Sequence, residues 1–256
     1  MKSSSTRNGI APFWFGLAAR LEATLRACDA AIATTPFLAD RVRDASGKPT
    51  AVLPNFMNQE QLAVSDVVWA EKTGSGFARD GSITLAYFSG SPHHGLDFAI
   101  VEQELEALVE RRPEIQVMTV GYLEPRRDWS RFGPRVMRAP LHDWVNLQRL
   151  IGQAEVNLMP LLPSVFADCK SPLKFSEAAA VGTLSVASPP ANYADCITDA
   201  RNGYLAHGHE WQRQIERLLD SMEQYPALAA RARDDALARF SGAVQPPALL
   251  QALGWN

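Results

Sequence analysis

Cysteine is scarce: Cys28, Cys169 and Cys196 in 256 residues, an odd number without regular spacing. That excludes a disulfide framework. No Cys/His cluster has the spacing of a zinc site. No apolar run reaches the ~20 residues needed to span a bilayer. No sign of charge dominates either. The 25 Lys and Arg and 28 Asp and Glu leave a net charge of −3, with the basic residues spread along the chain. Nothing there suggests a nucleic-acid surface. The glycine pattern G-x-G-x-x-G is also missing, which argues against a nicotinamide dehydrogenase. A reducing, cytoplasmic setting is the simplest one for such a chain.

What is present is ordinary globular composition, 46% apolar and 21% charged. Near the N-terminus, Ile10 to Ala19 faintly resembles a signal peptide. Arg20, Glu22 and Arg26 follow it, and Leu17, Leu21 and Leu25 recur at helical spacing, which favours an amphipathic helix over Phe13–Ala27. Further on, apolar runs of strand length alternate with helical patterns. Strands are predicted at Ala30–Thr34, Thr50–Leu53, Ile83–Phe88, Ile115–Val120, Arg135–Ala139, Val156–Leu161 and Thr183–Ala187. Helices fall between them, at Pro36–Asp44, Leu96–Arg111, Trp144–Gln153 and Pro172–Val181, and two more follow over 209–222 and 226–239. This alternation predicts an α/β fold, a doubly wound parallel sheet covered on both faces. Residues 57–82 are more polar and lack a sustained period, so they read as a linker or hinge with at most one short helix. The division expected is a small α/β unit at 1–56, that linker, a Rossmann-like domain at 83–224 and a helical segment at 225–256.

Ligands of such sheets sit beyond the carboxyl ends of the strands. Two loops there carry chemistry. The first is Ser89-Gly90-Ser91-Pro92-His93-His94-Gly95. Its glycines let backbone approach a ligand, and the helix that follows offers free N–H groups suited to a phosphate. The same residues would also suit a solvated turn. The second runs from Pro160 to Glu177. Ser171 is placed as a helix N-cap and Pro172 at the first helical position. Lys170 and Lys174 beside a helix start form a cradle for a diphosphate. Glu177, one turn beyond Lys174, can accept two hydroxyls of a ribose. A solvated helix start with an ordinary Lys–Glu pair is the plainer alternative. Asp143 is expected to cap the helix after it. Arg126, Arg127 and Arg131 read as a solvated loop.

The stretch from Lys170 to Ser188, containing Lys-Ser-Pro-Leu-Lys-Phe-Ser-Glu and Gly182, resembles the donor-site segment of family 4 (group 1) glycosyltransferases. Tyr87 to Phe98 resembles their first donor-domain loop. Ala191 to Ile197 with Asn202-Gly203, and upstream Cys28 to Asp40 with Val52-Leu-Pro-Asn55, are similar to further segments in the same order. The resemblance implies the GT-B fold, with two Rossmann-like domains, of which the acceptor-binding one is expected here only as a remnant at 1–56. It implies a nucleotide-diphosphate sugar as donor, no cofactor and no required metal. Glu177 matches the ribose-binding glutamate, and Asp168 stands near the acidic residue that touches the donor sugar. Asp168 and Lys174 are the expected catalytic residues. Ser89, Gly90, His94, Gly95, Lys170, Ser171, Lys174, Phe175 and Glu177 are the expected donor-binding set. The sequence departs from the family at two points. The family's usual pair of glutamates stands one residue closer together, and Cys169 occupies that position here. The first loop carries no Arg or Lys, which leaves the diphosphate to Lys170 and Lys174.

The function this implies is transfer of a sugar to an acceptor in polysaccharide, lipopolysaccharide or glycoconjugate synthesis, with retention of configuration. The acceptor would be a glycan, a lipid-linked molecule or a protein, met in the cytoplasm or at the inner face of the membrane. A second copy or a partner chain would complete the acceptor side. No nucleic acid is expected as a partner. The alternative is a truncated, non-catalytic nucleotide-sugar-binding module or partner subunit.

Overall fold

Alternating apolar residues in β3, Ile83–Ser89, send Leu85 and Tyr87 to one face and Ala86 and Phe88 to the other, and all four are buried. A strand buried on both sides needs helices on both sides, and this organises the larger part of the chain. The computed structural model describes residues 7–91, 94–189 and 191–254. They divide into two units, one within residues 7–54 and 248–254 and the other within residues 55–247.

In the first unit, α1 (Arg7–Ala27) precedes β1 (Ala31–Ala33), α2 (Pro36–Ser46) and β2 (Thr50–Val52). The two strands pair in parallel, Ala31 opposite Thr50. Thr35 caps α2 by accepting from the Leu38 amide at 3.1 Å, and Gly47 ends it in the left-handed conformation. The helix expected at Phe13–Ala27 is present and longer, but its Leu21 is 62% exposed.

The second unit begins with α3 (Gln59–Gly74), followed by β3. The stretch read as a linker or hinge with at most one short helix, 57–82, thus holds a helix of 16 residues. Asn58 caps α3 by accepting from the Gln61 amide at 2.9 Å, and Gln61, Ser65 and Val68 are buried along it. Three of its buried positions include two polar ones, which is why no apolar period was visible. The series continues with α4 (Gly95–Arg111), β4 (Ile115–Gly121), β5 (Val136–Ala139), α5 (Trp144–Gly152) and β6 (Val156–Met159). It ends with α6 (Val165–Asp168), α7 (Leu173–Ala180), β7 (Leu184–Ala187), α8 (Ala191–Ala194), β8 (Tyr204–Leu205), α9 (Trp211–Asp220) and α10 (Tyr225–Phe240), before α11 (Gln245–Leu253).

The sheet order is β5-β4-β3-β6-β7-β8, parallel throughout. The order reverses between β3 and β6, where Leu85 faces Val156. This is the switch point at which doubly wound sheets bind ligands. On one face, Ala86, Phe88, Met118 and Val120 pack with Val68 of α3, Ile151 of α5 and Ala178 of α7. On the other, Leu85, Tyr87 and Val117 pack with Phe98 and Leu105 of α4, and the cluster extends to Trp211 and Ala229. No helix among the described residues is long and apolar enough to cross a membrane.

Candidate functional site

A cavity of about 380 Å³ opens beyond the carboxyl ends of β3, β4 and β6, at that switch point. Phe88, Val120, Leu141 and Leu147 give it an apolar wall. Gly90, His94, Lys170, Ser171, Lys174, Glu177 and Tyr193 give it a polar one. The first loop is braced from below. The Tyr87 hydroxyl donates to the His94 carbonyl at 2.8 Å. The Ser89 carbonyl accepts from the Tyr122 amide at 3.0 Å, and the Ser89 hydroxyl donates to the carbonyls of Ser91 and Tyr122. Gly121 sits at φ +88° against the Ser89 carbonyl, a place with no room for a side chain.

The second loop is held from several elements. Ser164 caps α6, accepting from the Ala167 amide at 3.1 Å. The Lys170 carbonyl accepts from Asn192, and the Lys174 carbonyl accepts from Asn157 at 3.1 Å. Ser171 does not cap α7, contrary to expectation. Its hydroxyl accepts from the Asn55 amide group at 2.8 Å, and α7 starts at Leu173 without a side-chain cap. The amide groups at the start of α7 therefore keep bonds to spare.

Two cations and one carboxylate meet in this cavity. The Lys174 ammonium stands 3.4 Å from His94 Nδ1 and 5.1 Å from the centre of the Tyr87 ring. Burial lowers its pKa to about 8; Asp97 pulls the other way, Lys170 adds to the fall, and Glu177 opposes it. Burial raises the pKa of Glu177, against the opposing pull of a 3.2 Å hydrogen bond from Gln61 and of Lys174. The Lys170 ammonium lies 5.2 Å from the centre of the Phe166 ring. Burial also pushes the Tyr193 hydroxyl upward, so it stays protonated and able to donate. Among the described residues no group of three His, Cys, Asp or Glu side chains is placed to hold a metal ion.

Of the residues singled out from sequence, Ser89, Gly90, His94, Lys170, Ser171, Lys174 and Glu177 line this one cavity. Three do not. Gly95 opens α4 and lines a separate cavity with Gly121 and Tyr122. Phe175 is 1% exposed and packs in the core. Asp168 ends α6 and lines an adjoining cavity of about 280 Å³ with Ser188 and Trp211. The two cavities share Leu161. Pro92 and His93 lie outside the described residues. Sequence reasoning missed Tyr193, the apolar wall at Leu141 and Leu147, and Gln61. The signal for Gln61 was available, since Asn58 and Gln61 have the spacing of a capping box.

The sequence profile described as Glycosyl transferases group 1 matches residues 84–221, which span β3 through α9 and both loops of the cavity. The chain belongs to that family. Solved structures agree on the fold. The Anabaena HepE protein in complex with UDP-glucose superposes with a TM-score of 0.65 at 16% identity, over 91% of this chain and 68% of that one. Sucrose-phosphate synthase from Thermosynechococcus elongatus does so with a TM-score of 0.63 at 18% identity, over 91% of this chain and 59% of that one. WaaG, a glycosyltransferase involved in lipopolysaccharide biosynthesis, gives 0.63 at 17% identity, over 88% of this chain and 63% of that one. This chain thus spans about two thirds or less of their lengths. No curated protein matches it in sequence. The GT-B architecture expected from the two loops is the one found, and the family is that of glycosyltransferase enzymes.

Proposed function

We propose that the cavity at the switch point binds a nucleotide-diphosphate sugar and that the chain takes part in transferring the sugar to an acceptor. The observation that carries this reading is the meeting of Lys170, Lys174 and Glu177 in one cavity with an apolar wall. A flat base packs against Phe88, Val120, Leu141 and Leu147. The ribose hydroxyls donate to Glu177. The diphosphate lies between the two lysines, His94 and the uncapped start of α7. HepE is described with UDP-glucose, which supports a uridine-linked sugar as donor.

In the reaction the bond between the anomeric carbon and the β-phosphate oxygen breaks. The electron pair stays on that oxygen, and the lysines stabilise the charge that builds there without a required metal. The acceptor hydroxyl oxygen forms the new bond to the anomeric carbon as its proton passes to the departing β-phosphate oxygen, with retention as the family resemblance implies. Asp168, in the adjoining cavity, is the acidic group nearest in kind to the one that touches the donor sugar in relatives. The acceptor is a glycan, lipid-linked molecule or protein, met in the cytoplasm or at the inner face of a membrane. A second copy or partner chain completes the acceptor side. The role of WaaG in lipopolysaccharide synthesis makes that class of acceptor the first to try.

Calorimetric titration with UDP, GDP, dTDP and ADP tests the donor half. One nucleotide is expected to bind at micromolar strength, with the binding lost in Glu177→Ala and weakened in Lys174→Ala. A folded chain that binds none of the four would refute the reading.

A further inference from the structure

We infer that Gln61, on α3, is a positioning residue that holds Glu177 toward the ribose and away from Lys174, and so sets the preference for ribose over deoxyribose. The inference rests on the donor site proposed above. Gln61 is 6% exposed, and its amide nitrogen donates to Glu177 Oε1 at 3.2 Å. That is the side-chain hydrogen bond Glu177 makes among the described residues. A carboxylate has about four acceptor positions. One is taken by Gln61, which leaves the second oxygen for a ligand hydroxyl.

Gln61 is itself held in place from both sides. Its backbone amide donates to the Asn58 cap at 2.9 Å. Its carbonyl accepts from the Ser65 hydroxyl at 2.7 Å, and that hydroxyl accepts from the Gln148 amide group of α5 at 2.9 Å. Ser65 and Gln148 are both fully buried. Gly152 of α5 packs so closely on Val68 of α3 that a methyl group would overlap it. The turn bearing Gln61 is therefore seated on the sheet's own helix layer, so the donor reaches Glu177 from a fixed point.

The charges around Glu177 show what this donor is for. Lys174 is three residues before it on the same helix, Lys170 and His94 line the same cavity, and Tyr193 comes from α8. Lys174 attracts the carboxylate. A Glu177 turned onto Lys174 would neutralise the phosphate-binding cation and present no free oxygen to the ribose. The Gln61 bond resists that turn. A glutamine amide nitrogen can only donate, so it also favours the ionised form of Glu177.

The test compares UDP, GDP and ADP with their 2′-deoxy counterparts on the full chain, native and Gln61→Met. Methionine keeps the length and volume and removes the donor. Expected is a loss of about five-fold in the preference for the ribonucleotide, the worth of one hydrogen bond, beside a fall in affinity common to both forms as Glu177 turns onto the phosphate-binding Lys174. The pH below which binding fades is expected to move upward. If Gln61→Met does not fold, Gln61→Asn, which keeps the amide but shortens its reach, is expected to narrow the preference in the same direction. A preference equal to that of the native chain in the folded variant overturns the inference. A native chain that binds nucleoside diphosphates without preferring ribose overturns the roles of both Glu177 and Gln61. A native chain that binds none overturns the donor site itself.

Discussion

Lys174 is the residue whose chemistry depends most on its surroundings. With a pKa lowered to about 8 by burial, it is mostly charged at neutral pH. The ammonium, not the amine, attracts a diphosphate. Nucleotide affinity is therefore expected to hold up to about pH 7.5 and to fall as pH rises through about 8. Lys174→Arg, which stays charged, should remove that fall in calorimetry across pH 6.5–9. Glu177 shows the opposite cost. Its pKa is raised because the charge is buried, so the ionised form is held at the expense of stability. Glu177→Gln is expected to gain up to about 1 kcal/mol in urea unfolding while losing nucleotide binding. A variant that is less stable and still binds would show the carboxylate to be structural.

Two elements depend on close backbone approach. The β4 end at Gly121 touches the Ser89 carbonyl at a positive φ. Gly121→Ala is expected to destabilise the fold by about 1–3 kcal/mol and to displace the first loop, so that nucleotide affinity falls as well. Gly152→Ala should cost a similar amount through its overlap with Val68, by loosening α3 from α5. Urea midpoints and nucleotide titrations together separate the two: loss of stability in both, with the larger loss of affinity in Gly121→Ala. Other elements were plain from local pattern. Asp143 caps α5, accepting from the amides of Val145 and Asn146 at 3.1 and 2.9 Å. The arginine-rich segment is exposed, as its composition suggests, and Arg127 and Arg131 also pair with Glu106 of α4.

At the scale of the molecule, the cavity and every residue argued to build it lie within residues 55–247. A fragment of those residues is expected to fold and to bind the nucleotide as the full chain does. A fragment that folds but does not bind would place part of the donor site in the other unit. Ligand linkage gives a second check. At a nucleotide concentration of 100 Kd, stability should rise by about 2.7 kcal/mol, and Glu177→Ala should show no such rise.

The alternation of strands and helices, the Asp143 cap and the two loops of the candidate site were legible in the sequence because each is a local property, whereas the cap expected at Ser171 was not found. Period, capping residues and loop composition all act within a few positions. The family followed from those loops taken in order. Only the tertiary structure decided which of the singled-out residues meet. His94 and Lys174 stand 80 positions apart, and Gln61 and Glu177 stand 116 apart. The first pair is brought together by the reversal of strand order between β3 and β6, and the second by the packing of α3 against α5 and α7, neither of which a local pattern encodes. The same geometry sends Asp168 to the adjoining cavity and Phe175 to the core. Burial then sets the charge behaviour of Lys174 and Glu177, since desolvation depends on every element packed around a group and not on its neighbours in sequence.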